Sequence, residues 1–212
     1  MKGFLDRIRT PEKGGSFKKQ ILVTMGMLAF GFALGVLQKW MDGSAGSVFP
    51  SLLQQLDIGN FFGRLAIWIL LGTAISVYAR SPLRASINTF AFFLSMVAGY
   101  YLYCNYVLGF LPKTYMLIWI IASCLSFFMA YIAWYAKGEG LVAILISSGI
   151  LGVLLAQGVS LTQGFYVYHG LEVLTWLLGV LILYRKPREL AMELGLSLVV
   201  AFLYQCIFPY WG

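Results

Sequence analysis

His169 and Glu172 are the residues of this sequence best suited to chemistry. His169 is the only histidine of the chain, and the carboxylate of Glu172 follows three residues later, within the apolar stretch 165–184. Residues three apart lie on one face of a helix, so the imidazole and the carboxylate can share a proton or a hydrogen bond. An ionisable pair inside an apolar segment is energetically costly and therefore indicates a functional site.

The composition of the chain indicates which solvent surrounds this pair. Of its 212 residues, 60% are hydrophobic and only 11% are charged, whereas about a quarter of the residues in a soluble domain are charged. A lipid bilayer is therefore the first expected partner. The net charge of +7 is spread over short polar gaps, which suits anionic lipid headgroups. No nucleic-acid motif accompanies these basic residues, so no nucleic-acid partner is expected.

Seven apolar stretches organise the sequence. Each is near the length of about 20 residues that a helix needs to cross a bilayer core. The predicted spans cover residues 21–40, 61–78, 86–108, 115–136, 141–157, 165–184 and 190–208. The predicted fold class is an all-α integral membrane bundle of about seven transmembrane helices. A basic N-terminal segment, residues 1–20, precedes a single transmembrane domain, residues 21–212.

The basic residues in the gaps predict the orientation of the bundle. If the N-terminus is inside, 12 of the 15 basic residues fall in inner segments, and only Lys39, Arg64 and Lys113 fall outside. Lysine and arginine concentrate on the cytoplasmic side of membrane proteins. The chain is therefore predicted to have its N-terminus inside and its C-terminus outside, which places His169 and Glu172 near the outer face.

Polar side chains from several spans lie at a similar outer depth. An unpaired polar group inside a membrane costs several kcal/mol, so one outward-facing cavity would let these groups pair or bind a polar solute. The candidate ligand-binding residues are Lys39, Arg64, Asn105, Gln157, His169, Glu172 and Gln205. The alternative is local pairing, of Lys39 with Asp42, of Arg64 with a lipid phosphate, and of His169 with Glu172.

Three functions remain open on these residues. The first is a small-solute binding or transport component, the second a membrane-embedded enzyme with Glu172 and His169 as acid and base, and the third a structural or regulatory subunit without a ligand. No catalytic residue is assigned. No metal or other cofactor is expected, because the three cysteines lack metal-ligand spacing and one histidine cannot supply two haem ligands.

Three further stretches carry local predictions. Residues 1–20 form either an interfacial amphipathic anchor or a basic tail that only sets topology. Residues 41–60, the longest polar gap, are a connector, an interfacial helix that starts at Pro50, or a lid over a site formed by residues 47–56. Gly31 and Gly35 stand four apart in the first span, which lets another helix approach closely.

Residues 80–88, RSPLRASIN, followed by Tyr100-Tyr101, resemble a pattern in a family of small bacterial polytopic membrane proteins without an assigned activity. That resemblance implies a location in the bacterial inner membrane and carries over no functional residue. In its size and its small-residue first span, the chain also resembles the substrate-capture subunits of energy-coupling-factor transporters, which have six spans. The sequence holds no phosphate-binding loop, so active transport would need a partner membrane protein or ATPase.

Overall fold

The computed structural model describes residues 2–12, 16–43 and 57–208, most of which are helical. In chain order the elements are α1 (Lys2–Ile8), α2 (Phe17–Gly43), α3 (Ile58–Phe61), α4 (Leu65–Val77), α5 (Pro82–Tyr106), α6 (Lys113–Trp134) with a 3-10 turn at Tyr135–Lys137, α7 (Gly140–Gly158), the strands β1 (Val159–Ser160) and β2 (Tyr166–Val167), α8 (Gly170–Leu183) and α9 (Pro187–Ile207). The two strands pair antiparallel as a short hairpin.

Five helices, α2, α5, α6, α7 and α9, are long and apolar enough to cross a membrane. Large apolar side chains cover their outer surfaces: Leu117 and Phe128 on α6, for example, are 57% and 65% exposed. An exposed apolar surface of this extent suits lipid and not water. The chain therefore has the architecture of a helical membrane protein, as its composition predicts.

The other two predicted spans contain shorter apolar helices. α4 has 13 residues and α8 has 14. The sequence predicts one span over residues 165–184, but α8 begins only at Gly170, because the preceding residues form strand β2 and an extended turn. Within the second predicted span, residues 61–78, α4 begins at Leu65, after the one-turn helix α3.

Side-chain contacts define the two ends of the bundle. The end called here the His169 end holds the starts of α4, α6 and α8 and the finishes of α2, α5, α7 and α9. The opposite termini of these helices form the end called the Arg185 end. α5 and α7 are the most enclosed of the five long helices, with 56% of their apolar windows buried, so they form the centre of the bundle.

A glycine contact joins α2 to α5, as the spacing of Gly31 and Gly35 predicts. A Cβ atom at Gly31 would come closer than 3.0 Å to the carbonyl oxygen of Phe92, and one at Gly35 closer than 3.0 Å to that of Met96. Real Cβ atoms essentially never approach a neighbour so closely. The two backbones therefore touch at positions where only glycine fits.

The N-terminal segment packs on the protein at the Arg185 end. The amide of Glu139 donates to the carbonyl of Ile8 over 2.7 Å. Arg9 donates from Nη1 to the carbonyl of Trp134 (2.5 Å) and from Nη2 to that of Val77 (2.9 Å). Burial lowers the pKa of the Arg9 guanidinium, which still remains charged at any physiological pH. These contacts rule out the loose tail, one of the two predicted alternatives, while the interfacial anchor stays a prediction.

Some sequence predictions fall outside the described residues. These are the connector, interfacial helix or lid predicted within residues 41–60, of which residues 44–56, including Pro50, lie outside the described part of the chain.

Candidate functional site

The two short helices both begin late at the His169 end. At 1.5 Å per residue, α4 and α8 are each about 20 Å long, against a bilayer core of about 30 Å. Both reach the Arg185 end, where Val77 and Leu183 share one apolar cluster. The missing length therefore falls at the His169 end, where residues 57–64 and the β1–β2 hairpin replace helix. Such backbone is tolerated at membrane depth where protein buries it or where it lines a cavity.

A buried ion pair joins the starts of these two helices. Arg64, the residue before α4, donates from Nε to Oε1 of Glu172 in the first turn of α8. Glu172 is 0% exposed, and the Arg64 side chain is 21% exposed. The start of a helix favours a carboxylate, because its free amide groups carry partial positive charge. Guanidinium and helix start together supply positive charge to the carboxyl group of Glu172 inside an apolar bundle.

Asp57 is a second carboxylate on the same guanidinium. Its Oδ2 accepts from Arg64 Nη1 over 2.6 Å, and its Oδ1 accepts from Asn60 Nδ2 over 2.8 Å. Partial burial alone would raise the pKa of Asp57, but the hydrogen bonds from Arg64 and Asn60 outweigh it, so the pKa lies below its usual value. The backbone of Asp57 has φ 55°, in the left-handed region, which aspartate tolerates better than most residues.

Four buried polar atoms in this region have no hydrogen-bond partner among the residues that the structure describes: Arg64 Nη2, Glu172 Oε2, His169 Nδ1 and Trp176 Nε1. Nε and Nη2 of an arginine can together donate to the two oxygens of one carboxylate in a bidentate pair. Here only the Nε–Oε1 hydrogen bond of such a pair is formed, and no hydrogen bond joins Nη2 to Oε2. An open donor beside an open acceptor, both out of water, leaves hydrogen-bonding capacity that a bound molecule can use.

His169 stands at the N-cap position of α8 with an extended backbone, and its side chain makes no cap hydrogen bond. Glu172 bonds to Arg64 and not to His169, so the hydrogen-bonded His169–Glu172 pair expected from their spacing is absent from the described contacts. The spacing assumes that both residues are helical, but the helix starts after His169. Local pairing predicts that Arg64 contacts a lipid phosphate. In the structure the Arg64 side chain bonds to Glu172 inside the bundle.

Lys39 belongs to a neighbouring group between α2 and α5. The Tyr100 hydroxyl donates to Asp42 Oδ2 over 2.8 Å, and Lys39 Nζ lies 4.0 Å from the same carboxylate oxygen, so the predicted Lys39–Asp42 pair is present. Beside this group is a cavity of about 260 Å³ whose lining includes Asp42, Tyr100 and Gly63. The cavity reaches the turn before α4, but Arg64 and Glu172 are not among its lining residues.

The remaining predicted site residues have other roles. Gln205 donates from Nε2 to the carbonyls of Val159 (2.6 Å) and Ala156 (3.0 Å), while its Oε1 accepts from the amide of Leu161 over 2.9 Å. Its amide thus anchors the hairpin to α9. Gln157 is buried beside it and donates to the Tyr204 hydroxyl over 3.4 Å. Asn105 is exposed near the end of α5. The seven predicted residues therefore divide into separate groups, and Arg64, His169 and Glu172 form the one with unused polar atoms.

The sequence does not predict the roles of three further residues, Asp57 and Trp176 near Arg64 and Glu193 beside Arg185. Asp57 lies in a polar gap, where no periodicity predicts its contact with Arg64. Trp176 is one turn after Glu172 but has no charge that distinguishes it from the apolar residues of the predicted span. Glu193 reads from the sequence as a helix-capping charge. In the structure it is 1% exposed and paired with Arg185, whose Nη1 also donates to the carbonyl of Gly138 over 2.5 Å. A carboxylate in the second turn of an apolar helix was the available signal.

Fold and site together define a helical membrane protein with a buried, partly unsatisfied ion pair at one end of its bundle. Comparisons with protein-family models, with curated proteins and with solved structures give no match to this chain. The function is therefore inferred from the geometry of the site.

Proposed function

We propose that this chain is a membrane component that binds or transports a small polar solute, and that the solute binds at the His169 end, where α4 and α8 begin. The observation that carries the proposal is that the Arg64–Glu172 pair is only half formed, with Nη2 and Oε2 left without a partner among the described residues. Glu172 is completely buried, yet its Oε2 and the Nη2 of Arg64 have no partner among the described residues. Each such group costs about 1–3 kcal/mol if left unsatisfied, and a bound solute removes that cost.

The two short helices support the same location. In transporters, helices that stop or start inside the membrane bring their free termini to the substrate, and a pair of unusually short apolar segments marks the binding site. α4 and α8 are such a pair, and the ion pair joins their starting points. Their free backbone amide groups favour an anionic or acceptor group of the solute.

The charges of the site define the class of solute. Asp57 and Glu172 supply two negative charges and Arg64 one positive charge, so the site has an excess of one negative charge when His169 is neutral. A solute with an ammonium or amide donor for Glu172 and a carboxylate or carbonyl acceptor for Arg64 fits this arrangement. Small amino acids and their amides combine both groups.

The membrane arrangement completes the proposal. All seven predicted spans cross the bilayer of a bacterial inner membrane, with the N-terminus inside, so that the His169 end faces outward. α4 and α8 cross with the help of the non-helical segments that precede them. Support comes from the 12-to-3 distribution of basic residues between the two sides. Transport against a gradient requires an ATPase or another energised membrane protein as a partner.

The enzyme hypothesis has no observation in its favour. An acid–base pair requires Glu172 and His169 within hydrogen-bond reach of one reacting group. Glu172 is bonded to Arg64, and no described contact joins it to His169.

A thermal-shift panel on the protein purified in a neutral detergent tests the proposal. Glycine, L-alanine and L-lysine are the probes with both groups, and ethylamine and propionate are analogues with one group each. At least one amino acid is expected to raise the unfolding temperature, and more than either analogue does, because a ligand that binds only the folded state stabilises it by mass action.

The matched variants are Glu172→Gln and Asp57→Asn at the site and Glu12→Gln, an exposed carboxylate at the opposite end. Glu172→Gln keeps the shape of the side chain, and Asp57 is partly exposed, so the folds should persist. The two site variants are expected to lose the shift, and Glu12→Gln to keep it. The proposal fails if no amino acid shifts the wild type, or if the site variants respond as the wild type does.

A further inference from the structure

A cavity of about 370 Å³ lies at the Arg185 end, between α2, α4 and α5. It is far along the bundle from the proposed solute site, and its lining has two parts. Val23, Met27, Ala74 and Ile75 give it an apolar wall. Lys19, Arg80 and Arg84 lie at its polar mouth. An apolar wall beneath a cluster of cations fits an amphiphilic anion, which has an apolar tail and a negatively charged head.

The cations at the mouth are in part fixed by the protein. Arg84 donates from Nη2 to the carbonyl of Gln20 over 2.6 Å and to Thr24 Oγ1 over 3.1 Å, which holds its guanidinium across the gap between α2 and α5. Arg80 lies 3.7 Å from the carboxylate of Glu12, which is 71% exposed. An ion pair this open to water neutralises little. Among the described residues at this mouth, three cations stand against the one carboxylate of Glu12, which gives an excess of two positive charges.

The stretch RSPLRASIN supplies much of this lining. Arg80, Arg84 and Asn88 stand four residues apart, and all three line the cavity. Arg84 lies in the first turn of α5, whose N-cap is Ser81. The free amide groups of that turn add partial positive charge at the same place. The function proposed for the His169 end makes no use of these residues.

We propose that this cavity binds one anionic phospholipid, with its phosphate between Lys19, Arg80 and Arg84 and an acyl chain along the apolar wall. Basic pockets between membrane helices bind lipid headgroups in this way. The wall favours a lipid over a free anion, because inorganic phosphate gains nothing from apolar surface. Val23 in the wall is 41% exposed and adjoins the exposed Leu22, so the wall continues onto the lipid-facing side of α2.

Lipid retention measured by native mass spectrometry tests this site. The full-length protein is purified in a neutral detergent, delipidated, and mixed with phosphatidylglycerol, phosphatidylcholine or inorganic phosphate. Phosphatidylglycerol is expected to be retained about 25-fold better than phosphatidylcholine, because each of the two excess cations attracts a headgroup with net negative charge by about 1 kcal/mol. Inorganic phosphate should neither bind nor displace it.

Two neighbouring lysines give a matched pair of variants. Lys19→Gln removes a cation that lines the cavity, whereas Lys18→Gln removes an equal charge from the adjacent exposed residue outside its lining. Lys19→Gln should lower phosphatidylglycerol retention about fivefold, and Lys18→Gln should leave it unchanged. Because both side chains are exposed, neither change threatens the fold. Arg84→Gln should lower retention further, with unfolding temperature as the check on its fold.

Three results overturn the proposal. One is equal retention of phosphatidylglycerol and phosphatidylcholine, and another is an equal effect of Lys18→Gln and Lys19→Gln. The third is that inorganic phosphate displaces the bound phosphatidylglycerol and occupies the cavity to the same extent. That result would make the cavity a simple anion site.

Discussion

At the scale of single residues, Arg64 is the centre of the proposed solute site. One guanidinium contacts two carboxylates from different parts of the chain, Asp57 through Nη1 and Glu172 through Nε, and its Nη2 has no partner among the described residues. Removing either partner of a buried pair leaves a charge without compensation, which is far more costly than removing both. The two partners of this pair are not equivalent, however, because Asp57 can still compensate Arg64 when Glu172 is absent.

This asymmetry gives a stability prediction. Arg64→Met should lower the free energy of unfolding by about 3 kcal/mol, since it leaves the buried Glu172 unpaired. Glu172→Leu should cost less, because Asp57 remains on Arg64. The double variant should be more stable than Arg64→Met alone. Denaturant unfolding of the four proteins in mild detergent measures the cycle, and equal, additive losses for the two single variants would contradict it.

Asp57 gives a prediction on pH. Its pKa lies below the usual value, and the groups around it are Arg64, Asn60 and His169. A carboxylate with a lowered folded-state pKa contributes stability that is complete above its unfolded pKa of about 3.9. That contribution is lost as the pH falls from there through the folded-state pKa. Asp57→Asn should therefore be less stable than the wild type at pH 6, and the difference should shrink as the pH falls below about 4.

Unfolding temperatures of the two proteins between pH 6 and pH 3 measure this difference. A gap that stays constant over the whole range would mean that Asp57 contributes through its shape and not through its charge.

At the scale of elements, the contact of α2 with α5 determines how the first long helix is held. Gly35→Leu should lower the free energy of unfolding by about 1–3 kcal/mol or more, because the added side chain meets the backbone of α5. Gly26 lies on the same helix with nothing within 4 Å of a built Cβ, so Gly26→Leu is the matched control and should be neutral or stabilising. Similar losses for both variants in detergent unfolding would show that α2 does not pack through Gly35.

The sequence predicts the helical elements well, because each is an apolar run bounded by charges, prolines or glycines. It also predicts the close approach at Gly31 and Gly35. It fails where an apolar run is not helical throughout. Residues 165–169 belong to the same predicted span as the helix that follows, but within them Tyr166–Val167 pair with Val159–Ser160 as a hairpin. That pairing is a contact between two segments, and the hydrophobic periodicity of one segment alone does not predict it.

The candidate site is predictable only in part, for the same reason. The costly residues Arg64 and Glu172 stand out by their charge in apolar surroundings, and the structure joins them. The choice of partner does not follow from spacing, since Glu172 is three residues from His169 and 108 residues from Arg64, yet bonds to Arg64. Gln205 appears from the sequence to be a ligand-binding group, whereas the hairpin uses both ends of its amide.

At the scale of the whole molecule, the bundle has a buried arginine–glutamate pair at each end. Arg64 and Glu172 form one, and Arg185 and Glu193 the other. Their surroundings differ. The N-terminal segment docks on the Arg185 end, where Ile8 and Arg9 bond to the backbone of the α6–α7 connection. At the His169 end, non-helical backbone replaces the first turns of α4 and α8, whereas both pairs keep buried polar atoms without a hydrogen-bond partner among the described residues. This contrast suits a molecule that receives a solute from the His169 end.

The orientation of the bundle in the membrane follows as a prediction. With seven spans and the N-terminus inside, a reporter enzyme that is active only outside the cytoplasm should be active when fused after Gly212, and a cytoplasmic reporter at the same position should be inactive. The physical reason is the excess of basic residues on the predicted inner side. Activity of the cytoplasmic reporter alone would remove one crossing, for which the short helices α4 and α8 are the candidates.

Direct binding of amino acids to the purified protein tests the central claim, that the open Arg64–Glu172 pair is a solute site. The measurement is retention of a mixture of tritiated amino acids by the wild type, by Glu172→Gln and by the control Glu12→Gln, each with its unfolding temperature recorded. The wild type and Glu12→Gln should retain label that excess unlabelled amino acids displace, and folded Glu172→Gln should retain none. Equal retention by all three proteins, or no displaceable label on the wild type, would contradict the claim.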